Sequence, residues 1–305
     1  MPPPRHQRGG AGMELLSRTV RLVRPAVSAG LLGILLCAAS AFAFPPSARA
    51  ILIANPHEDR ELRGSLSRLV SSQDGLFGIA VVNLMDGRTV SISADTPFPT
   101  ASMYKLLVMY RVFQLIERGD LSLDNHVEVT ASDLAQEEPD GGLAPGETPT
   151  IRDALEAMIA ISSNAAASVL TRQVGGMAQV ESAATEIGMV DTFQRDGELW
   201  STPSDLAHFF VLLANRGLVS PDASLQMIGI LLQQTINDRL PALLPPEAAV
   251  AHKTGEIEDV WNDGGIVYGS GGSYVIVVMS RGGTPVDEIE VEARISAIVY
   301  ARYGQ

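Results

Sequence analysis

Only two lysines, Lys105 and Lys253, stand in a chain whose lysines and arginines together number 22, so arginine serves almost every other cationic position. Lysine differs chemically in that its ammonium can give up a proton when desolvated, which a guanidinium does not do. Lys105 closes the run Thr100-Ala101-Ser102-Met103-Tyr104-Lys105, where a helical pattern begins, so Ser102 and Lys105 fall on one helix face within reach of each other. A serine hydroxyl is a weak nucleophile at neutral pH, and an adjacent amine that can become neutral is one way to remove its proton. A place in the first helical turn also sets backbone N–H groups and the positive end of the helix dipole near any oxyanion formed there. Ser-x-x-Lys is a weak signal by itself, and the rest of the chain must support it.

Two further pieces carry comparable chemistry. Lys253 lies in His252-Lys253-Thr254-Gly255 at the end of an apolar strand pattern, where a cation, a hydroxyl and a glycine suit an extended substrate bearing a carboxylate. Ile161-Ser162-Ser163-Asn164 joins two helical segments and offers a hydroxyl and an amide. His252 is adjacent to Lys253, but strand alternation sends neighbouring side chains to opposite faces, which predicts a structural histidine. His57, His126 and His208 fall in separate segments without ligand spacing, so no metal is expected. No other cofactor is implied either.

The elements that must position these groups follow from periodicity. Residues 56–72 read as an amphipathic helix, and 76–84 and 89–93 as a hairpin turned by Asp86-Gly87. Helices are predicted over 104–118, 151–161, 164–173, 177–187, 203–215 and 224–232, with Thr202-Pro203 marking one start. Residues 133–150 carry five acids, three prolines and three glycines and read as a long exposed loop. Strands return over 248–255, 264–268 and 273–280, followed by a last helix over 286–303. Strands early and late in the chain, separated by a helical block, pair most simply into one antiparallel five-stranded sheet. The expected fold is thus α+β, with the two terminal helices flanking the sheet, the helical block packed on it, and a site in the cleft between them. The sheet part is expected to use 51–98 and 237–305, and the helical part 99–236.

Composition narrows the class of partner. The formal charge is -13, which argues against a nucleic-acid-binding protein and leaves a small molecule or another protein as the partner. The one cysteine, Cys37, can form no internal disulfide. The first fifty residues hold six arginines and one acid; Arg18, Arg21 and Arg24 precede an apolar run over 26–44, and Ala48-Arg49-Ala50 follows. That layout predicts an exported protein, with residues 1–50 a signal peptide cleaved after Ala50 or an anchor that leaves the protein on the membrane. The remainder, 51–305, is expected to be one catalytic domain acting as a monomer in the cell envelope or outside it.

Ser-x-x-Lys, Ser-x-Asn and Lys-Thr-Gly, in this order and spacing, resemble the signature set of class A β-lactamases and their penicillin-binding relatives. The resemblance covers essentially all of 51–305 and includes Ser201-Thr202-Pro203 and Asn262-Asp263-Gly264-Gly265-Ile266. It implies that Ser102 is the acylated nucleophile, Lys105 its activating partner, and Ser162 a relay passing a proton to the leaving nitrogen. It implies also that Lys253 supports that relay, Asn164 binds the substrate's side-chain amide, and Thr254 and Lys253 receive its carboxylate. The N–H groups of Ser102 and Glu256, the residue after Gly255, would form the oxyanion hole.

Three features depart from that pattern. The Glu-x-x-Leu-Asn loop, whose glutamate activates the deacylating water, is replaced by the shorter stretch 192–201, in which Glu198 is the available acid and a solvated or ion-paired role is its alternative. Ser163 replaces the family's aspartate and is expected to loosen its loop. Glu256, with Glu258 and Asp259 nearby, is expected to repel a substrate carboxylate at a cost of about 1 kcal/mol. The sequence therefore supports an acyl-serine enzyme acting on a small-molecule substrate, a β-lactam or a related peptidoglycan peptide, a D,D-peptidase or esterase that deacylates slowly, or a penicillin sensor or cell-wall-binding module that does not turn over.

Overall fold

The computed structural model describes residues 57–134, 143 and 146–305; the expected export segment and most of the acidic loop lie outside them. In chain order the elements are α1 (Arg60–Val70), β1 (Leu76–Asn83), β2 (Thr89–Ile92), β3 (Phe98–Pro99), a single 3-10 turn (Ala101–Tyr104) and α2 (Lys105–Glu117). The short α3 (Ala131–Leu134), then α4 (Ile151–Ala160), α5 (Asn164–Gln173) and α6 (Met177–Glu186) complete the first part of the helical block. Then come β4 (Phe193–Arg195), β5 (Glu198–Ser201), α7 (Pro203–Ala214) and α8 (Pro221–Leu231). The chain closes with β6 (Ala249–Ile257), β7 (Val260–Tyr268), β8 (Ser273–Arg281) and α9 (Pro285–Tyr303).

The main sheet is antiparallel in the order β2-β1-β8-β7-β6, which makes β6, the strand carrying Lys253, an edge strand. Both faces of the sheet are covered. On one, Phe77, Ile79, Val81, Ile276 and Val278 pack with Leu62, Leu66, Val291, Ile295 and Val299 of α1 and α9. On the other, Ala80, Val275, Val277 and Met279 meet Phe209 and Phe210 of α7 and the core of the helical block. Two-sided burial explains why β8 reads as an unbroken apolar run and not as an alternating one. Each large apolar side chain so buried contributes about 1.5–3 kcal/mol.

Polar anchors fix the ends. Asp59 caps α1 by accepting the Leu62 N–H at 3.0 Å, and its other oxygen accepts from Arg302 at 2.8 Å and the Tyr303 hydroxyl at 3.0 Å. Burial pushes this carboxyl up, but those donors outweigh it and hold Asp59 below the usual carboxylate range. Thr150, Thr202, Ser220 and Thr284 cap α4, α7, α8 and α9, with proline in the first turn of the last three.

Three expectations need correction. Residues 192–201 are not an open loop: β4 and β5 form a hairpin about Asp196 and Gly197, whose φ values of 53° and 86° are those of a tight primed turn. With β3 it makes a second, three-stranded sheet. The supposed exposed loop begins buried: Asp133 accepts from Thr130, Ser168 and Arg172, which pins α3 against α5. Finally, the first long helix starts at Lys105, and Ser102 sits in the 3-10 turn before it.

Candidate active site

Three elements converge on Ser162. It lies between α4 and α5 with φ of +60°, a left-handed conformation that a serine adopts only when its surroundings hold it there. Ser163 supplies part of that hold. Instead of loosening the loop, it is buried and caps α5 by accepting the Ala166 N–H at 3.1 Å. The Ser162 side chain is thereby turned toward both lysines.

Lys105, fully buried, donates to the Ser162 carbonyl at 2.6 Å, to Asn164 Oδ1 at 2.9 Å and to Ser162 Oγ at 3.2 Å. Lys253, also fully buried, donates to the same Ser162 Oγ at 3.0 Å and to the Thr254 carbonyl at 2.9 Å. Burial, and after it the charge of Lys105, pushes the Lys253 ammonium well below its ordinary pKa, with Asp263 opposing. Two amines thus share one hydroxyl in a site where at least one is disposed to lose its charge.

Ser102 occupies the 3-10 turn one turn ahead of Lys105, partly exposed, between buried Ala101 and Met103. In a 3-10 turn residues three apart eclipse, so the Ser102 to Lys105 relation survives the later helix start. Ala101 has φ of +45°, a second strained residue at the site. Gly255 lets β6 run against this turn: a Cβ there would lie 2.5 Å from the Thr100 carbonyl oxygen and 3.2 Å from the Met103 nitrogen. Asn262 of β7 ties the same turn down by donating to the Pro99 and Thr100 carbonyls at 3.0 and 3.3 Å. The backbone of 255 and 256 is consequently held alongside the turn that carries Ser102. A cavity of about 680 Å³ opens beside Asn164, with Tyr104, Asp133, Ser168 and Arg172 in its wall.

Strand alternation divides β6. Lys253 and Gly255 face the 3-10 turn, while His252, Thr254 and Glu256 take the other face. His252 is structural, its two ring nitrogens lying 2.9 Å from Asp263 and 3.1 Å from Asn237. Glu256 is not an unpaired acid: it accepts a hydrogen bond from Arg239, whose guanidinium is buried. The expected repulsion from Glu256 is therefore offset by a cation the sequence reading did not pick out. Among twenty arginines nothing in the spacing of Arg239 sets it apart, whereas the Asp-Gly pair at 196–197 was a usable hairpin signal.

Glu198 stands on the exposed end of β5. Its strand is fastened to the site through Leu199, whose carbonyl accepts from both the N–H and hydroxyl of Thr100 at 2.8 Å. Burial, with the Glu198 charge adding to it, raises the Tyr104 phenol to about 12, so the carboxylate lies near the residue between Ser102 and Lys105. Arg195, the register partner of Glu198 in the hairpin, makes its side-chain ion pair with Asp196 at 3.4 Å instead and stacks over Trp200.

Comparison with known proteins agrees with this geometry. A β-lactamase of Bacteroides uniformis is 26% identical over 275 residues, covering 79% of this chain and 90% of the relative. The Pseudomonas aeruginosa β-lactamase VEB-1 is 24% identical over 256 residues, covering 74% and 84%. The solved structure of PBP-A superposes with a TM-score of 0.76 at 26% identity, over 81% of this chain and 97% of that one. A mutant of PBP-A solved as its acyl-enzyme with penicillin G superposes equally well, at 25% identity over 85% and 99%. Residues 61–303, nearly all of the described chain, match the β-lactamase enzyme family, and the protein belongs to that family.

Proposed function

We propose that the protein is a serine hydrolase that opens β-lactam rings through an acyl-serine intermediate on Ser102. The observation that carries this is the sharing of Ser162 Oγ by Lys105 and Lys253 at 3.2 and 3.0 Å, on the helical side of the turn bearing Ser102. In the step proposed, the Ser102 oxygen bonds to the lactam carbonyl carbon as its proton passes to Lys105. The carbon–nitrogen bond then breaks, and the leaving nitrogen takes a proton from Ser162, which is resupplied by a neighbouring lysine. The N–H groups of Ser102 and Glu256 stabilise the oxyanion, and Asn164 and Thr254 orient the substrate. Water afterwards cleaves the ester.

A second reading keeps the acylation and slows that last step, as in a penicillin-binding peptidase. What favours it is the exposed position of Glu198, together with the likeness to PBP-A. Export is proposed from the basic and apolar N-terminal pattern alone; among the described residues no helix is long and apolar enough to cross a membrane.

Intact-protein mass spectrometry with penicillin G, followed over time beside Ser102→Ala, tests both readings. The expected result is an adduct on the native protein, absent from the variant, that decays as hydrolysed drug accumulates. Persistence for hours selects the second reading, and an adduct that survives Ser102→Ala overturns both.

A further inference from the structure

The Arg239–Glu256 pair has a consequence for substrate choice, which rests on the acyl-serine reading above. Arg239 sits in a segment fixed on both sides, where the Leu240 N–H donates to Asp263 at 3.1 Å and Asn237 bonds His252 at 3.1 Å, and the adjacent Asp238 carboxylate lies 3.7 Å from its guanidinium. The Arg239 side chain is 1% exposed, whereas the Glu256 side chain that accepts from it is 60% exposed. The carboxylate therefore lies on the solvent side of the cation and covers it. Lys253, the cation of β6 itself, is turned to the opposite face and committed to Ser162. Thr254 and Glu256 share the Arg239 face of an edge strand, where an extended substrate would lie. Glu258 and Asp259, just beyond, add no compensating charge.

We infer that Glu256 is a specificity-determining residue: its carboxylate occupies the guanidinium that a substrate carboxylate would otherwise reach, so the enzyme prefers acyl donors lacking a negative charge at that position. An incoming anion must displace a tethered carboxylate already bonded to Arg239, whereas a neutral group meets no such cost.

The test uses penicillin G and its uncharged methyl ester, with Ser102 adduct formation followed by mass spectrometry for the native chain and Glu256→Gln. In the native chain the ester is expected to acylate Ser102 about tenfold faster than the acid. Glu256→Gln, which keeps the backbone N–H of that residue, is expected to raise the rate with the acid relative to the rate with the ester about tenfold. Equal rates for acid and ester in the native chain overturn the inference, and this comparison requires no variant to fold. A gain of the same size for both probes in Glu256→Gln overturns it as well, because it would reflect general access to the site. An adduct with neither probe overturns the acyl-serine reading itself, and the inference with it.

Discussion

On the side of Ser162 and β6, the groups around Ser102 are buried and multiply bonded: Lys105 and Lys253 are both fully enclosed, and each donates to Ser162. On the side of the β4–β5 hairpin, the corresponding acid, Glu198, is exposed, and its carboxylate makes no hydrogen bond or ion pair among the described residues. A group buried with all its donors engaged is pre-organised, because it cannot reorient without leaving polar atoms unsatisfied. A solvated side chain at the exposed end of a strand has many orientations of similar energy. On the proposed acyl-serine reading, the contrast teaches that the rigid part of this molecule serves formation of the acyl-enzyme and the solvated part its breakdown.

The largest effect should come from the rigid side. Lys105→Arg retains the charge but removes the ability to act as a base and crowds a fully buried position, so the rate of Ser102 acylation by penicillin G should fall about a thousandfold. Stopped-flow or quenched mass measurements would show it, and a loss below about tenfold would place the base elsewhere. A smaller effect is expected behind that wall, at Asp133, whose bonds from Thr130, Ser168 and Arg172 brace the helix carrying Asn164. Burial would raise this carboxyl, but those donors bring it from 3.8 down to about 2. Because the folded-state value is depressed, the stability it confers is fully present above about pH 4 and is lost as the pH falls through about 2. Asp133→Asn should therefore lower stability by about 2 kcal/mol at neutral pH and flatten the loss between pH 4 and 2, read by thermal melts across that window. If the variant melts like the native chain at pH 7, the bracing is not energetic. The smallest effect is expected on the exposed side, where Glu198→Gln should change adduct lifetime by less than about tenfold. A hundredfold longer lifetime would erase the contrast and make Glu198 the deacylating base.

Much of the arrangement was legible in the residues. Helix 164–173 matches its bounds in the fold, and the five main strands are found where alternation, apolar runs and turn residues put them, each within a few residues except for β7. That strand extends four residues further toward its start, through Val260 and Asn262, because a central strand is fixed by partners on both sides and not by its own composition. The hairpin at 192–201 was obscured for a different reason. Its strands are short and polar, and their pairing depends on β3 and on Asp205, which accepts from Thr192 and the Asp191 N–H.

By itself, the sequence determined which chemistry was on offer: two lysines, Ser102, Ser162 and a Lys-Thr-Gly strand end, in an order and spacing that identify a family, along with the layered sheet and helices that local periodicity specifies. Only the tertiary structure decided how those groups are paired. It brought two ammonium groups 148 residues apart in the chain to one hydroxyl, gave Glu256 its Arg239, and left Glu198 in solvent. The physical reason is that helix and strand preferences act over a few neighbouring residues, whereas burial, charge pairing and pKa depend on which distant segments share a volume.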